Sequence, residues 1–151
     1  MLRFRFTICQ MQVIVYKSAE EHPLQCPFIS NYVPAGFPSP AEDAPAEHLD
    51  LSAHLIKHPE ATFFLRVSGD SMTGAGIFDG DLLIVDRSIS PSSGDIVIAV
   101  VNGEFTVKRL IIDGKKIKLR PENPKFKTLL MTEYNEIDIW GVVTNSVKSF
   151  R

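Results

Sequence analysis

The sequence predicts a mainly β body behind an extended N-terminal arm, and three observations carry this reading. From residue 62 onward, six runs are rich in β-branched and aromatic residues: Thr62 to Ser68, Leu82 to Asp86, Asp95 to Val101, Glu104 to Ile112, Lys115 to Arg120 and Ile137 to Lys148. The dipeptides Asn102-Gly103 and Asp113-Gly114 separate such runs, and both favour the positive-φ turns that match strand twist. They predict a three-strand hairpin meander with Lys108 on its middle strand. Six of the ten prolines fall between Pro23 and Pro45, whereas only one of the nine glycines, Gly36, precedes Gly69. That asymmetry divides the chain into an arm, residues 1–45, and a β-rich body, residues 46–151.

The arm opens on a mildly apolar stretch (Phe4, Phe6, Ile8, Val13, Ile14, Val15, Tyr16) that allows one strand. It continues into Pro34-Ala35-Gly36-Phe37-Pro38-Ser39-Pro40, which is expected to be extended because proline fixes φ and lacks an N–H donor. A short helix is expected from Asp50 to His58. Asp50 can cap it, Leu51, Leu55 and Ile56 form a helical stripe, Pro59 stops it, and His58 would sit near the negative end of its dipole.

Composition narrows the function classes. A chain of 151 residues, 44% hydrophobic and 23% charged, suits one soluble domain with a sizeable core. The longest apolar run, Ile96 to Val101, is far below the roughly 20 residues that span a bilayer, so no membrane association is expected. Arg3 and Arg5 precede an apolar stretch, but Gln10 and Gln12 interrupt it and no small-residue cleavage signal follows, so it does not read as a secretory signal. Cys9 and Cys26 both precede the main body, which suits a reducing cytoplasm. A net charge of −2 removes bulk attraction to nucleic acid as a primary activity, so any DNA contact must be local or borrowed from a partner.

Ser71, in Gly69-Asp70-Ser71-Met72, follows a strand and enters a glycine-containing segment, where a side chain can project from a sharp turn. Gly-Asp-Ser is also a common turn sequence, because Asp and Ser bond nearby backbone amides. A nucleophilic serine needs a base. His22, His48, His54 and His58 all precede Ser71 and none lies in the strand-rich region, which argues against a Ser-His-Asp triad. Lysine remains. Lys108 and Arg109 are neighbours on one strand, so the period of two sends them to opposite faces, and only the lysine can lose its proton when desolvated. The bland alternative is that both are solvated on an exposed sheet face.

Asp79-Gly80-Asp81, Asp86 and Gly94-Asp95 are read as turn chemistry and not as a metal cluster. His54 and His58 have i, i+4 spacing but no third ligand at a recognised distance, so no metal and no cofactor is expected. Between Lys108 and Lys127 lie eight basic residues and only two acidic ones, Asp113 and Glu122, which reads as a solvated basic hairpin face.

The motifs coincide in order and spacing. Ala35-Gly36-Phe37-Pro38-Ser39-Pro40, Ser68-Gly69-Asp70-Ser71-Met72, Gly80-Asp81-Leu82-Leu83-Ile84-Val85-Asp86, Gly94-Asp95-Ile96-Val97-Ile98-Ala99 and Gly103-Glu104-Phe105-Thr106-Val107-Lys108 resemble the UmuD branch of the LexA-type self-cleaving serine peptidases, over residues 35–151. The resemblance implies a LexA/signal-peptidase-like β-fold and a Ser71–Lys108 dyad. It also implies an oxyanion hole from the backbone amides of Asp70 and Ser71, and cleavage of the chain's own Ala35–Gly36 bond. It further implies a truncated, homodimeric product that serves a Y-family translesion polymerase in SOS mutagenesis, with the RecA filament on single-stranded DNA as activator. The fragment from Gly36 carries 13 basic and 16 acidic residues, a charge of −3, so it is expected to reach DNA only through the polymerase. A LexA-like repressor would need a helix-turn-helix domain before the cleavage bond, which a proline-rich arm does not supply. Signal-peptidase-like proteolysis and a non-cleaving β-domain adaptor are the alternatives.

Overall fold

The structure, a computed structural model, describes residues 25–29, 46–131 and 137–151. These fall into two compact units with a boundary between Lys57 and His58. The first contains an antiparallel pair, β1 (Gln25–Ile29) with β2 (Ala46–Asp50), followed by helix α1 (Leu51–Leu55). Asp50 caps α1 as expected, its carboxylate accepting from Ala53 N–H at 3.1 Å. The helix is shorter than the sequence suggested. Ile56 is already extended, with its N–H returning to the Ser52 carbonyl, so His58 lies outside the helix and the dipole does not explain it.

The second unit is a seven-stranded antiparallel sheet: β3 (Thr62–Arg66), β4 (Leu82–Asp86), β5 (Ile96–Val101), β6 (Glu104–Asp113), β7 (Lys116–Arg120), β8 (Leu129–Leu130) and β9 (Ile137–Val147). Their spatial order is β3-β4-β9-β5-β6-β7-β8. The chain is thus mainly β, and β5-β6-β7 form the expected meander. Asn102 (φ 50°) and Gly103 (φ 84°) make the tight turn between β5 and β6, both in the left-handed region that such hairpins require. At the next hairpin Asp113 pairs with Lys116, so the two loop residues are Gly114 and Lys115, one position later than the dipeptide suggested. Glycine takes the first loop position with φ 58° and Asp113 is released to extend the strand.

Alternation along the strands builds two apolar clusters. Leu65, Leu83, Val85, Ile98 and Val107 share one with Met72 and Ile77 of the β3–β4 connection. Val97, Ala99, Leu110, Leu119, Ile137 and Val142 form the other. Ile98 and its neighbours Val97 and Ala99 point to different clusters, as the period of two demands. Trp140 on β9 caps the first cluster between Phe63 and Phe105, with ring centroids 5.1 and 5.4 Å away. Arg87 lies over its face at 4.8 Å.

The β3–β4 connection positions the site, because its apolar residues anchor it. Met72 is 2% exposed and Ile77 is 3% exposed, so the turn between them and β3 is tied into the core. Among the described residues no helix is long and apolar enough to cross a membrane. The apolar stretch from Phe4 to Tyr16, the proline-rich segment and the Ala35–Gly36 bond lie outside the described residues.

Candidate active site

Ser71 is held on a turn whose bonds leave little freedom. Gly69 has φ 96°, a left-handed value that glycine accepts without a Cβ penalty, and its N–H donates to the Asp79 carboxylate at 2.7 Å. Beyond the serine, Met72 plugs into the core and Thr73–Ala75 form a single 3-10 turn closed by left-handed Gly76. The segment after β7 grips the same turn. Glu122 N–H donates to the Ser71 carbonyl at 2.9 Å, Gly74 N–H donates to the Glu122 carbonyl at 2.7 Å, and Asn123 Nδ2 donates to the Asp70 carbonyl at 2.8 Å. Gly74 is required by this approach, since a Cβ there would overlap the Glu122 carbonyl oxygen.

β6 supplies the second half. Lys108 pairs with Val97 of β5 and stands one residue before pairing with β7 begins at Arg109. Its side chain is buried, 8% exposed, and the ammonium donates to Ser71 Oγ at 3.0 Å, Thr106 Oγ1 at 2.8 Å and the Val107 carbonyl at 2.8 Å. Among the described residues no carboxylate bonds it. Desolvation by burial therefore pushes its pKa down from the ordinary lysine value. The three acceptors match the three protons of an ammonium. On deprotonation, two N–H bonds to Thr106 and Val107 can persist while the lone pair turns to the Ser71 hydroxyl, the arrangement a general base needs.

Arg109 points elsewhere, its Nε donating to Glu122 Oε1 at 2.6 Å and Nη1 to the Gly94 carbonyl at 2.6 Å. Arg120 joins the same carboxylate oxygen at 2.9 Å. The hydrogen bonds from Arg109 and Arg120 hold the Glu122 carboxyl below the usual carboxylate range, against the upward pull of burial. Part of the basic stretch is therefore spent on internal pairing and is not an open cationic face.

Among the described residues, the Asp70 and Ser71 N–H groups donate to no other group. No described histidine bonds Ser71. His58 Nδ1 lies 2.6 Å from Asp86 Oδ2, and Asp86 also accepts from Ser88 N–H and Oγ, so a structural pairing accounts for this histidine. The turn carboxylates are likewise engaged: Asp95 accepts from Ser92 N–H nearby, and Asp81 from Phe78 N–H and from Ser146 and Lys148 far along the chain. Sequence reasoning missed Thr106, Glu122 and Asn123. Thr106 had a signal, two positions from Lys108 on one strand face, whereas nothing local marks Asn123.

The site thus brings a serine into contact with a buried lysine, and comparison with known proteins gives the chain a family. The model of the peptidase S24-like family matches residues 27–144. The chain belongs to that family. It is 45% identical to protein SamA of Salmonella typhimurium, over 92% of this chain and 98% of SamA. It is 49% identical to protein ImpA of Escherichia coli over 83% of this chain and 85% of ImpA. The LexA repressor of Bacillus cytotoxicus is 38% identical over 80% of this chain but only 57% of the repressor. The likeness to the UmuD branch seen in the motifs thus extends over most of the chain, and the family makes this a peptidase-type protein.

Proposed function

We propose that this protein is a serine endopeptidase that cleaves its own Ala35–Gly36 bond with Ser71 as nucleophile and Lys108 as general base. The observation that carries the reading is the 3.0 Å contact between Ser71 Oγ and a buried lysine that, among the described residues, has no carboxylate partner. In the productive form neutral Lys108 takes the Ser71 proton as Oγ bonds to the Ala35 carbonyl carbon. The oxyanion is stabilised by the Asp70 and Ser71 N–H groups. Collapse breaks the C–N bond, and Gly36 nitrogen leaves with the proton from the Lys108 ammonium. Water, deprotonated by the same lysine, then releases Ala35 from the serine ester.

Reach does not oppose cleavage in cis, because the 35 positions from Gly36 to Ser71 can extend to roughly 115 Å. A tethered bond stays at about millimolar effective concentration, so restraint comes from an arm that rests elsewhere or from a Lys108 that stays protonated. An ammonium bonded to Ser71 is inactive, which explains why a conditional activator is needed. By family resemblance that activator is the RecA filament on single-stranded DNA. The fragment from Gly36 then dimerises and serves as accessory subunit of a Y-family polymerase in SOS mutagenesis, within the cytoplasm.

The test is to incubate purified protein at alkaline pH and weigh the products. The expected result is a cut between Ala35 and Gly36 that Ser71→Ala and Lys108→Ala each abolish while native circular dichroism is retained. Full cleavage in either folded variant, or a main cut elsewhere, contradicts the assignment. No cut at any pH favours a non-cleaving adaptor.

A further inference from the structure

We infer that Asn123, acting with Glu122, is a positioning residue of the site: it clamps the Ser71 turn over Lys108 and so keeps the base dry and in contact with its serine. The inference rests on the proposed Ser71–Lys108 dyad and deepens it by naming what regulates the base. The clamp has three bonds. Asn123 Nδ2 donates to the Asp70 carbonyl at 2.8 Å, immediately before the nucleophile, and the Glu122 backbone pairs with Ser71 on one side and Gly74 on the other. Together they fasten residues 70–74 to the segment leaving β7.

The clamp is itself held in place. Asn123 is buried, 9% exposed, and its Oδ1 accepts from Lys125 N–H at 3.0 Å, which fixes the amide orientation. Glu122 is held through its side chain by Arg109, the residue after Lys108 on β6. One strand therefore reaches the nucleophile turn twice, directly through Lys108 and indirectly through Arg109, Glu122 and the Glu122 backbone. The distance between Ser71 and Lys108 is thereby set by groups on both halves of the site.

The consequence concerns solvent. Lys108 is desolvated in part because the Ser71 turn lies against its ammonium, so loosening the turn admits water and restores preference for the charged form. The charged groups on the surrounding elements are Asp70 and Asp79 on the β3–β4 connection, Glu104, Arg109 and Asp113 on β6, Lys116, Lys118 and Arg120 on β7 and Glu122 just after it, while β5 presents Val97. Asn123 is neutral. Its removal leaves every one of those charges in place, so a changed base reports altered solvation and positioning.

The experiment follows self-cleavage of the full chain against pH in wild type, Asn123→Ala and Asn123→Ser, with Ser90→Ala, exposed between β4 and β5, as a control. For both Asn123 variants the plateau rate is expected to fall at least about tenfold through misplacement of the reacting atoms. The midpoint is expected to rise by about half a pH unit or more, toward ordinary lysine. Ser90→Ala should match wild type. A second measurement does not depend on cleavage: the Lys108 Cε resonance is titrated by NMR in Ser71→Ala and in Ser71→Ala/Asn123→Ala, and the double variant should titrate at higher pH. An unchanged midpoint and an unchanged resonance titration overturn the clamp even if Ser71→Ala abolishes cleavage. Persistent cleavage in Ser71→Ala instead overturns the dyad.

Discussion

Two parts of the body bury charge in opposite ways. Near β4 and the end of β9, Asp81 and Asp86 are 7% and 3% exposed and each is surrounded by partners. Burial pulls the Asp81 carboxyl upward, but hydrogen bonds from Lys148, Phe78 N–H and Ser146 outweigh it and hold the pKa below the ordinary value. Asp86 is handled likewise by Ser88 and His58. At the β6 site, Lys108 is also buried yet among the described residues meets only neutral oxygens, and burial alone sets the direction of its shift. The first arrangement stabilises a charge for the sake of the fold. The second destabilises one, which is how a lysine becomes a usable base.

The largest effect expected from breaking this contrast is at Asp81. Asp81→Ala leaves Phe78 N–H and Lys148 without their acceptor, and urea unfolding should show a loss of about 3 kcal/mol. Acid should produce a related loss. Because the folded pKa values of Asp81 and Asp86 lie below the unfolded one near 3.8, their contribution is fully present above that value and disappears as pH falls through the folded pKa values. An acid unfolding midpoint unaffected by Asp81→Asn would contradict this.

Gly74→Ala comes next. Its Cβ would displace the Glu122 carbonyl, and about 1–3 kcal/mol of stability should be lost along with most self-cleavage. Loss of stability with an undisturbed cleavage rate would show that the turn tolerates the shift.

The smallest stability effect has the opposite sign. A Lys108 pKa below the unfolded value means that the unfolded chain holds more protons between the two, so stability should rise with pH across that interval. Lys108→Met should remove that rise and raise the melting temperature at neutral pH, while abolishing cleavage. A fall in melting temperature would mean that the ammonium is well solvated in the fold.

The sequence was informative where structure is periodic. The Leu82 to Asp86 run is β4 in full, and the other long strands lie within one or two residues of their apolar and β-branched runs. The contact between Ser71 and Lys108 was legible only through motif order, since 37 positions separate them and no periodicity links them. Short-range rules missed what distant partners decide. β1 lies inside the proline-rich arm and includes Pro27, and its partner β2 begins only at Ala46. His58 took its partner from β4, 28 positions on, and Asn123 reaches 53 positions back to Asp70. Such bonds depend on how the sheet brings segments together, and leave no trace in the local pattern.

The central claim is that a buried lysine without a countercharge activates Ser71, and the pH dependence of self-cleavage tests it most directly. In folded wild-type protein the rate should rise about tenfold per pH unit from neutrality and level off below the pH of about 10.4 at which free lysine titrates. Lys108→Arg should show no such rise, because guanidinium stays protonated throughout. A wild-type rate independent of pH between about 7 and 10, or a Lys108→Arg variant that follows the wild-type curve, would contradict the account, since lysine deprotonation would then not generate the nucleophile.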